Sequence, residues 1–358
     1  MKQVDYIVVG LGVAATAFIK YLLEHQHSFV VINQDFHRAS TVAAGLYNPV
    51  VLKRFSLVWD ARQQLEKMHE LFLWYEQFFD KKFIDEMPVF RIFNDEQEQK
   101  TWHKKATTHH ELVPFLSTDF QQLKIYNDIK DPYGSGEVLA TGRIDLRLLI
   151  PTLEQYLRQK ENLLQEKFRY EDLQIAPNSI SYQNLQAKHV IFCEGYHILS
   201  NPYFRKLPII GVKGEVLTIR TEAKLPKAVV KGKEFLFPLS SDEYFVGATY
   251  DRDCLDYEVT ESAKTELLSG IGKVVDSSFM VLHQQASIRP TVKDRRPIIG
   301  GHPTYKNLYC FNGMGTRGTM LAPKMAETLY LHIEKGQPID NQSDIARSVS
   351  YTHLTLPT

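Results

Sequence analysis

The chain is short of cysteine, of long apolar runs and of net charge. Three cysteines stand in 358 residues, Cys193, Cys254 and Cys310, and none forms a Cys-x-x-Cys pair. So odd and scattered a set argues against a disulfide framework and fits a reducing cytoplasm. Lys+Arg and Asp+Glu number 42 each, so net charge exerts no global pull on nucleic acid or an anionic membrane. No apolar run approaches the ~18 residues that a transmembrane segment needs, and Val4 to Val9 is too short for the core of a signal peptide. Neither a Gly-x-Ser-x-Gly elbow nor a Walker sequence occurs. His103, His109 and His110 lie in a polar segment without ligand-like partners, so no metal site is predicted.

What is present reads as an α/β protein. Asp5-Tyr-Ile-Val-Val is a β-rich run, Val13 to Glu24 has helical spacing, and Phe29 to Ile32 is a second buried strand. This order predicts a βαβ unit on a parallel sheet. Apolar residues at Leu65, Met68, Leu71, Phe72, Tyr75 and Phe78 predict a helix over 58–79. Later helices are expected over 145–161, 260–275 and from the Gly-rich segment to about Glu334. Between Pro208 and Thr249 the period changes to two, which predicts an antiparallel sheet. Further strands are expected over 188–193, 279–288 and 308–311. The tail, 348–358, has no periodicity and resembles read-through of a cloning junction, so it is set aside.

The sharpest motif is Gly10-Leu-Gly12-Val13-Ala14-Ala15, a G-x-G-x-x-A that follows a strand and opens a helix. Gly10 permits the tight turn, and Gly12 lets backbone approach a pyrophosphate at the helix head. Ala15 keeps helix and strand close. The acid usual at the end of the second strand is replaced by Asn33, followed by Gln34 and then Asp35; an amide can bond a ribose without charge assistance. Two more segments suggest a flat ring. Ser40, Thr41, Ala44, Gly45 and Leu46 belong to a small-residue loop. Gly313, Gly315, Thr316, Arg317 and Gly318 form a second glycine-rich turn into a helix, whose amides suit a reduced flavin.

Together these pieces resemble the D-amino acid oxidase/glycine oxidase/sarcosine oxidase family of FAD-dependent oxidoreductases, over about Asp5 to Ile333. The resemblance also draws on Thr141-Gly-Arg-Ile-Asp-Leu, His189-Val-Ile-Phe-Cys-Glu194-Gly195, Val212-Lys-Gly-Glu-Val-Leu and Ser287-Ile-Arg-Pro. It implies an FAD-binding Rossmann-like domain (1–80, 140–206, 290–345) interleaved with a substrate domain on an antiparallel sheet (81–139, 207–289). Glu194 and Gly195 are implied FAD contacts, although Ala-x-Gly is commoner there. Arg289 is implied as the clamp on a substrate carboxylate, a task that suits the fork of a guanidinium. Tyr250 could line the same pocket. The implied reaction oxidises the C–N bond of a small amino acid or amine by hydride transfer to FAD, and the motifs name neither the substrate nor the electron acceptor. Two alternatives stay open: a flavoenzyme acting on a modified base of tRNA, and a non-catalytic flavin-binding protein.

Overall fold

A computed structural model describes residues 1–34, 38–177 and 179–349. Asp35 and the end of the tail, from residue 350, lie outside the described residues.

The first sheet is built around Lys2–Val9, which pairs in parallel with Phe29–Ile32 on one side and Leu185–Phe192 on the other. Its central strands do not alternate between buried and exposed: Ile7, Val8, Val190 and Ile191 are all fully buried, as expected for parallel strands covered on both faces. Leu163–Leu164 extends the sheet beyond Phe29–Ile32. On the far side, Leu185–Phe192 is shared. Its first half pairs with Ser179–Tyr182 and its second half, in parallel, with Leu308–Asn312.

Helices cover one face. Val13–Glu24 packs beside Gly318–Lys335, which also contacts Ala61–Phe79. Most of the apolar stripe read from the sequence is buried, with Leu65, Met68, Leu71, Phe72 and Tyr75 inside, while Phe78, near the end of the helix, is exposed. Each such side chain contributes about 1.5–3 kcal/mol on leaving water. Tyr75 also donates its hydroxyl to the Thr16 carbonyl at 2.7 Å, tying two helices. This helix begins at Ala61 rather than at Val58, because Asp60 at its head is in the left-handed region (φ 52°).

The second sheet has seven strands, in the order Met280–Val292, Ile209–Arg220, Glu243–Gly247, Phe235–Pro238, Val229–Lys231, Val89–Ile92 and Ser135–Val138. Neighbours are antiparallel except Val229–Lys231 with Val89–Ile92, a parallel pair. The sequence places the end of the edge strand at Ile288, ahead of Pro290; the structure carries it on to Val292. An edge strand tolerates a residue that has no N–H to give. Arg289 is therefore inside the strand and in register with Val212, not at a strand end. The hairpin of Leu173–Ala176 and Ser179–Tyr182 and the strand Ile298–Gly301 carry too few residues to stand out by periodicity. Cys193 and Cys310 are buried and Cys254 is exposed. Among the described residues no helix is long and apolar enough to cross a membrane, and no group of three His, Cys, Asp or Glu side chains could hold a metal ion.

Candidate dinucleotide and substrate cleft

The C-terminal end of the parallel sheet and the inner face of the second sheet border one cleft of about 1190 Å³. Small-molecule pockets usually hold about 300–1,000 Å³, so this one has room for a dinucleotide and a small substrate together.

At one end the walls are backbone. Gly10 ends the first strand with φ +94°, and a Cβ there would lie 2.6 Å from the Cys193 carbonyl oxygen. The neighbouring strand thus closes tightly on the turn, and only glycine fits both the angle and the space. Gly12 caps Val13–Glu24 without a side-chain hydrogen bond. The amides at that helix head have no intrahelical partners; that of Val13 donates to Ser40 Oγ at 3.0 Å. At the head of Gly318–Lys335 the N-cap residue, Arg317, likewise makes no capping hydrogen bond with its side chain, and a Cβ on Gly318 would lie 2.9 Å from Val13 Cγ1. Two helix heads, each favouring negative charge, therefore meet beside the cleft.

Asn33 sits where a ribose-binding residue belongs. It is buried, it lines the cleft, and its Nδ2 has no hydrogen-bond partner among the described residues. A buried amide left so is costly unless a ligand takes the bond. The glycine-capped helix head, the tight glycine turn and this amide fit the phosphate and ribose of a dinucleotide such as FAD.

Of the residues singled out from the sequence, Gly10, Gly12, Val13, Ala14, Asn33, Gln34, Ser40, Ala44, Gly45, Leu46, Glu194, Gly195, Gly315, Thr316, Arg317, Gly318, Tyr250 and Arg289 all line the cleft. Ala15, Thr41 and Gly313 do not. Ala15 is fully buried against the sheet. Thr41 gives its hydroxyl to the Arg38 carbonyl. The Cβ position of Gly313 faces Val292 and the Ile298 amide. Tyr250 is 57% exposed, at the rim. The guanidinium of Arg317 turns to the carbonyls of Asn48 (2.7 Å) and Val50 (3.5 Å), and burial brings its pKa down to about 10. Arg147, which the sequence did not mark, holds the carbonyls of Thr41 and Val42 in the same way. Two arginines therefore lash the small-residue loop to the helices by its backbone.

Glu194 is engaged on both oxygens, by Tyr170 Oη at 2.5 Å and Asn201 Nδ2 at 2.7 Å. Desolvation raises its carboxyl pKa to about 7, against the lowering effect of those two donors.

At the other end the walls are side chains. Arg289 is largely buried, and Nη1 makes long contacts to the carbonyls of Thr249 (3.3 Å) and Lys213 (3.5 Å). No carboxylate pairs with it among the described residues, and desolvation lowers its pKa. The guanidinium lies over Gly214, where any side chain would collide with it. Gly214 and Ser287, facing each other in register, are cleft residues that the sequence offered only inside longer motifs. The link between the two ends is the Gly315 amide, which donates to the Pro290 carbonyl at 2.9 Å.

Residues 5–330 match the family described as FAD dependent oxidoreductase. Among curated relatives, the tRNA 5-methylaminomethyl-2-thiouridine biosynthesis bifunctional protein MnmC of Idiomarina loihiensis is 30% identical over 178 residues, covering 48% of this chain and 29% of that protein. The chain thus spans well under half the length of this relative. Among solved structures, iminodiacetate oxidase from Chelativorans sp. BNC1 superposes with a TM-score of 0.81 at 16% identity, over 95% of this chain and 98% of that one. Glycine oxidase from Geobacillus kaustophilus does so with a TM-score of 0.76 at 18% identity, over 95% and 96%. With the family matched along nearly its whole length and a cleft that fits the cofactor, the chain belongs to the FAD-dependent oxidoreductases and is an enzyme that uses FAD.

Proposed function

We propose that this enzyme oxidises the C–N bond of a small amino acid or amine that carries a carboxylate. The observation behind this reading is Arg289: a largely buried guanidinium in the cleft wall with no acidic partner among the described residues. A buried cation normally has a paired charge, and a substrate carboxylate would supply it. The guanidinium fork would hold both carboxylate oxygens and so fix the α-carbon in place for reaction. FAD, when bound, supplies the hydride acceptor. The carbon bearing the amine loses the hydride, and the resulting imine takes up water to give a carbonyl compound and the freed amine. A substrate amine that binds neutral needs no side-chain base. In this reading Tyr250, at the rim, touches the part of the substrate nearest solvent.

The proposed division of labour runs close to that of the two sheets, with its boundary at 289/290 falling inside the strand Met280–Val292. Residues 1–80, 140–206 and 290–345 would carry FAD, and 81–139 with 207–289 the substrate. The proposed FAD contacts are the cleft-lining glycines and their neighbours: Gly10, Gly12, Asn33, Ser40, Gly45, Gly195 and Gly315.

A second reading places the amine on a modified base of tRNA. It is favoured by the name of the MnmC relatives. The neutral net charge of the chain adds nothing to it. Anaerobic mixing of the purified protein with a panel of amino acids, N-methyl amino acids and bulk tRNA, followed by flavin absorption, separates the two. Bleaching by free amino acids supports the first reading; bleaching by tRNA alone supports the second and rejects the first.

A further inference from the structure

We propose that Ser287 is a second donor to the anion that Arg289 holds, so that the site is a two-donor clamp for a carboxylate. The proposal rests on the reading of Arg289 given above.

Ser287 lies two residues before Arg289 on the strand Met280–Val292. Side chains two apart on a strand share a face. The register puts Ser287 directly opposite Gly214 and Arg289 opposite Val212. The Arg289 guanidinium lies back over Gly214. Directly opposed Cβ positions are about 4.5–5.5 Å apart, so the Ser287 side chain and the guanidinium flank the same cross-strand position. Both residues line the cleft.

The hydroxyl is also uncommitted. Ser287 is 4% exposed, and its Oγ has no hydrogen-bond partner among the described residues. Nearby hydroxyls are already used. Thr249 Oγ1 accepts from the Glu215 amide at 2.8 Å, and Thr291 Oγ1 donates to the Ile210 carbonyl at 2.8 Å. A buried hydroxyl without a partner weakens a fold, so at Ser287 the bond is best made by a ligand. The chemistry matches a carboxylate. Its two oxygens offer about four acceptor positions, the arginine fork fills one edge, and a hydroxyl can donate to a remaining lone pair.

The test uses sodium acetate, a carboxylate without an amine, titrated into the FAD-loaded protein while flavin absorption is followed; acetamide is the control. Acetate should perturb the spectrum saturably and acetamide should not. Ser287→Ala should raise the acetate Kd about tenfold, as expected for one lost hydrogen bond to a charged group. Its FAD content should be unchanged and its Tm equal or higher, because the hydroxyl removed supports nothing in the fold. Arg289→Lys should raise the Kd further. An unchanged Kd in Ser287→Ala, with a raised Kd in Arg289→Lys, would overturn the clamp and leave the reading of Arg289 standing. Failure of acetate to bind the unaltered protein would overturn both. Loss of FAD from Ser287→Ala with acetate affinity intact would assign the hydroxyl to the cofactor and overturn the clamp.

Discussion

The two ends of the cleft are made of different material. Around Gly10 and Gly12 the wall is backbone: a left-handed turn, a helix head whose N-cap is glycine and a neighbouring strand closed to 2.6 Å of a would-be Cβ. Around Arg289 the wall is side chain, placed by the register of two antiparallel strands and by a glycine under the guanidinium. A backbone site presents what every member of a cofactor class shares, a phosphate and a sugar. A side-chain site can be rewritten one residue at a time without disturbing the turn. On the proposed reading, the backbone end would hold the cofactor that supplies the chemistry and the side-chain end would select what is oxidised.

The comparison makes unequal demands on substitution. At the backbone end a single branched side chain should be ruinous. Gly12→Val should abolish FAD retention, because the added carbons crowd Ser40 Oγ, 3.2 Å from the Cβ position, and the approach of the phosphate. The ratio of flavin to protein absorbance after gel filtration checks this; stoichiometric FAD in a folded variant would break the distinction. At the side-chain end Gly214→Ala should keep FAD yet displace the Arg289 guanidinium. Capture of a carboxylated substrate should then fall by about as much as when the arginine is deleted, on the order of 30-fold. Steady-state kcat/KM alongside flavin content measures it.

A smaller effect is expected beside the Gly10 turn, at Glu194. Its carboxyl pKa is raised to about 7 by desolvation, above the usual 4.5. A carboxyl raised on folding favours the folded state most when protonated. Stability is thus greatest below about pH 4.5, declines as pH rises through 7 and then levels off. Glu194→Gln should match the unaltered protein in Tm near pH 5 and exceed it near pH 8. Equal Tm values at both pH values would show that the carboxyl is not strained. The flavin should also resist reduction by NADH or NADPH alone, since among the described residues only Gly10 to Ala15 opens a strand–helix–strand unit; the Gly313-x-Gly315-x-x-Gly318 turn leads into Gly318–Lys335, which no further strand follows. Rapid anaerobic bleaching by either would contradict this.

The same contrast explains what could be read from the sequence. The turn at Gly10 and Gly12 is contiguous and follows a strand, so local pattern was enough, as it was for the buried stripe of Ala61–Phe79. Asn33 could be placed by counting along the βαβ unit. Arg289 was reached through its Ile-Arg-Pro context, but its strand was cut short at the proline because edge position is not visible locally. Gly214 and Ser287 are brought together by cross-strand register over 73 positions of chain, which no window of sequence contains. The carbonyl-holding roles of Arg147 and Arg317 were hidden for the same reason: their partners, Thr41, Val42, Asn48 and Val50, are distant in sequence.

The central claim is that Arg289 faces a substrate carboxylate and not a structural partner. The direct measurement is anaerobic flavin reduction by an accepted amino acid, compared between the unaltered protein and Arg289→Ala at equal FAD content, with the melting temperature of each. Truncating one partner of a buried charge pair costs about 2–5 kcal/mol. The apparent affinity for the amino acid should therefore fall by roughly 30-fold or more, with FAD retained and Tm little changed, and Arg289→Lys should recover only part of the loss. Unchanged reduction efficiency in Arg289→Ala would contradict the account, and a collapsed Tm with loss of FAD would make the arginine a structural residue.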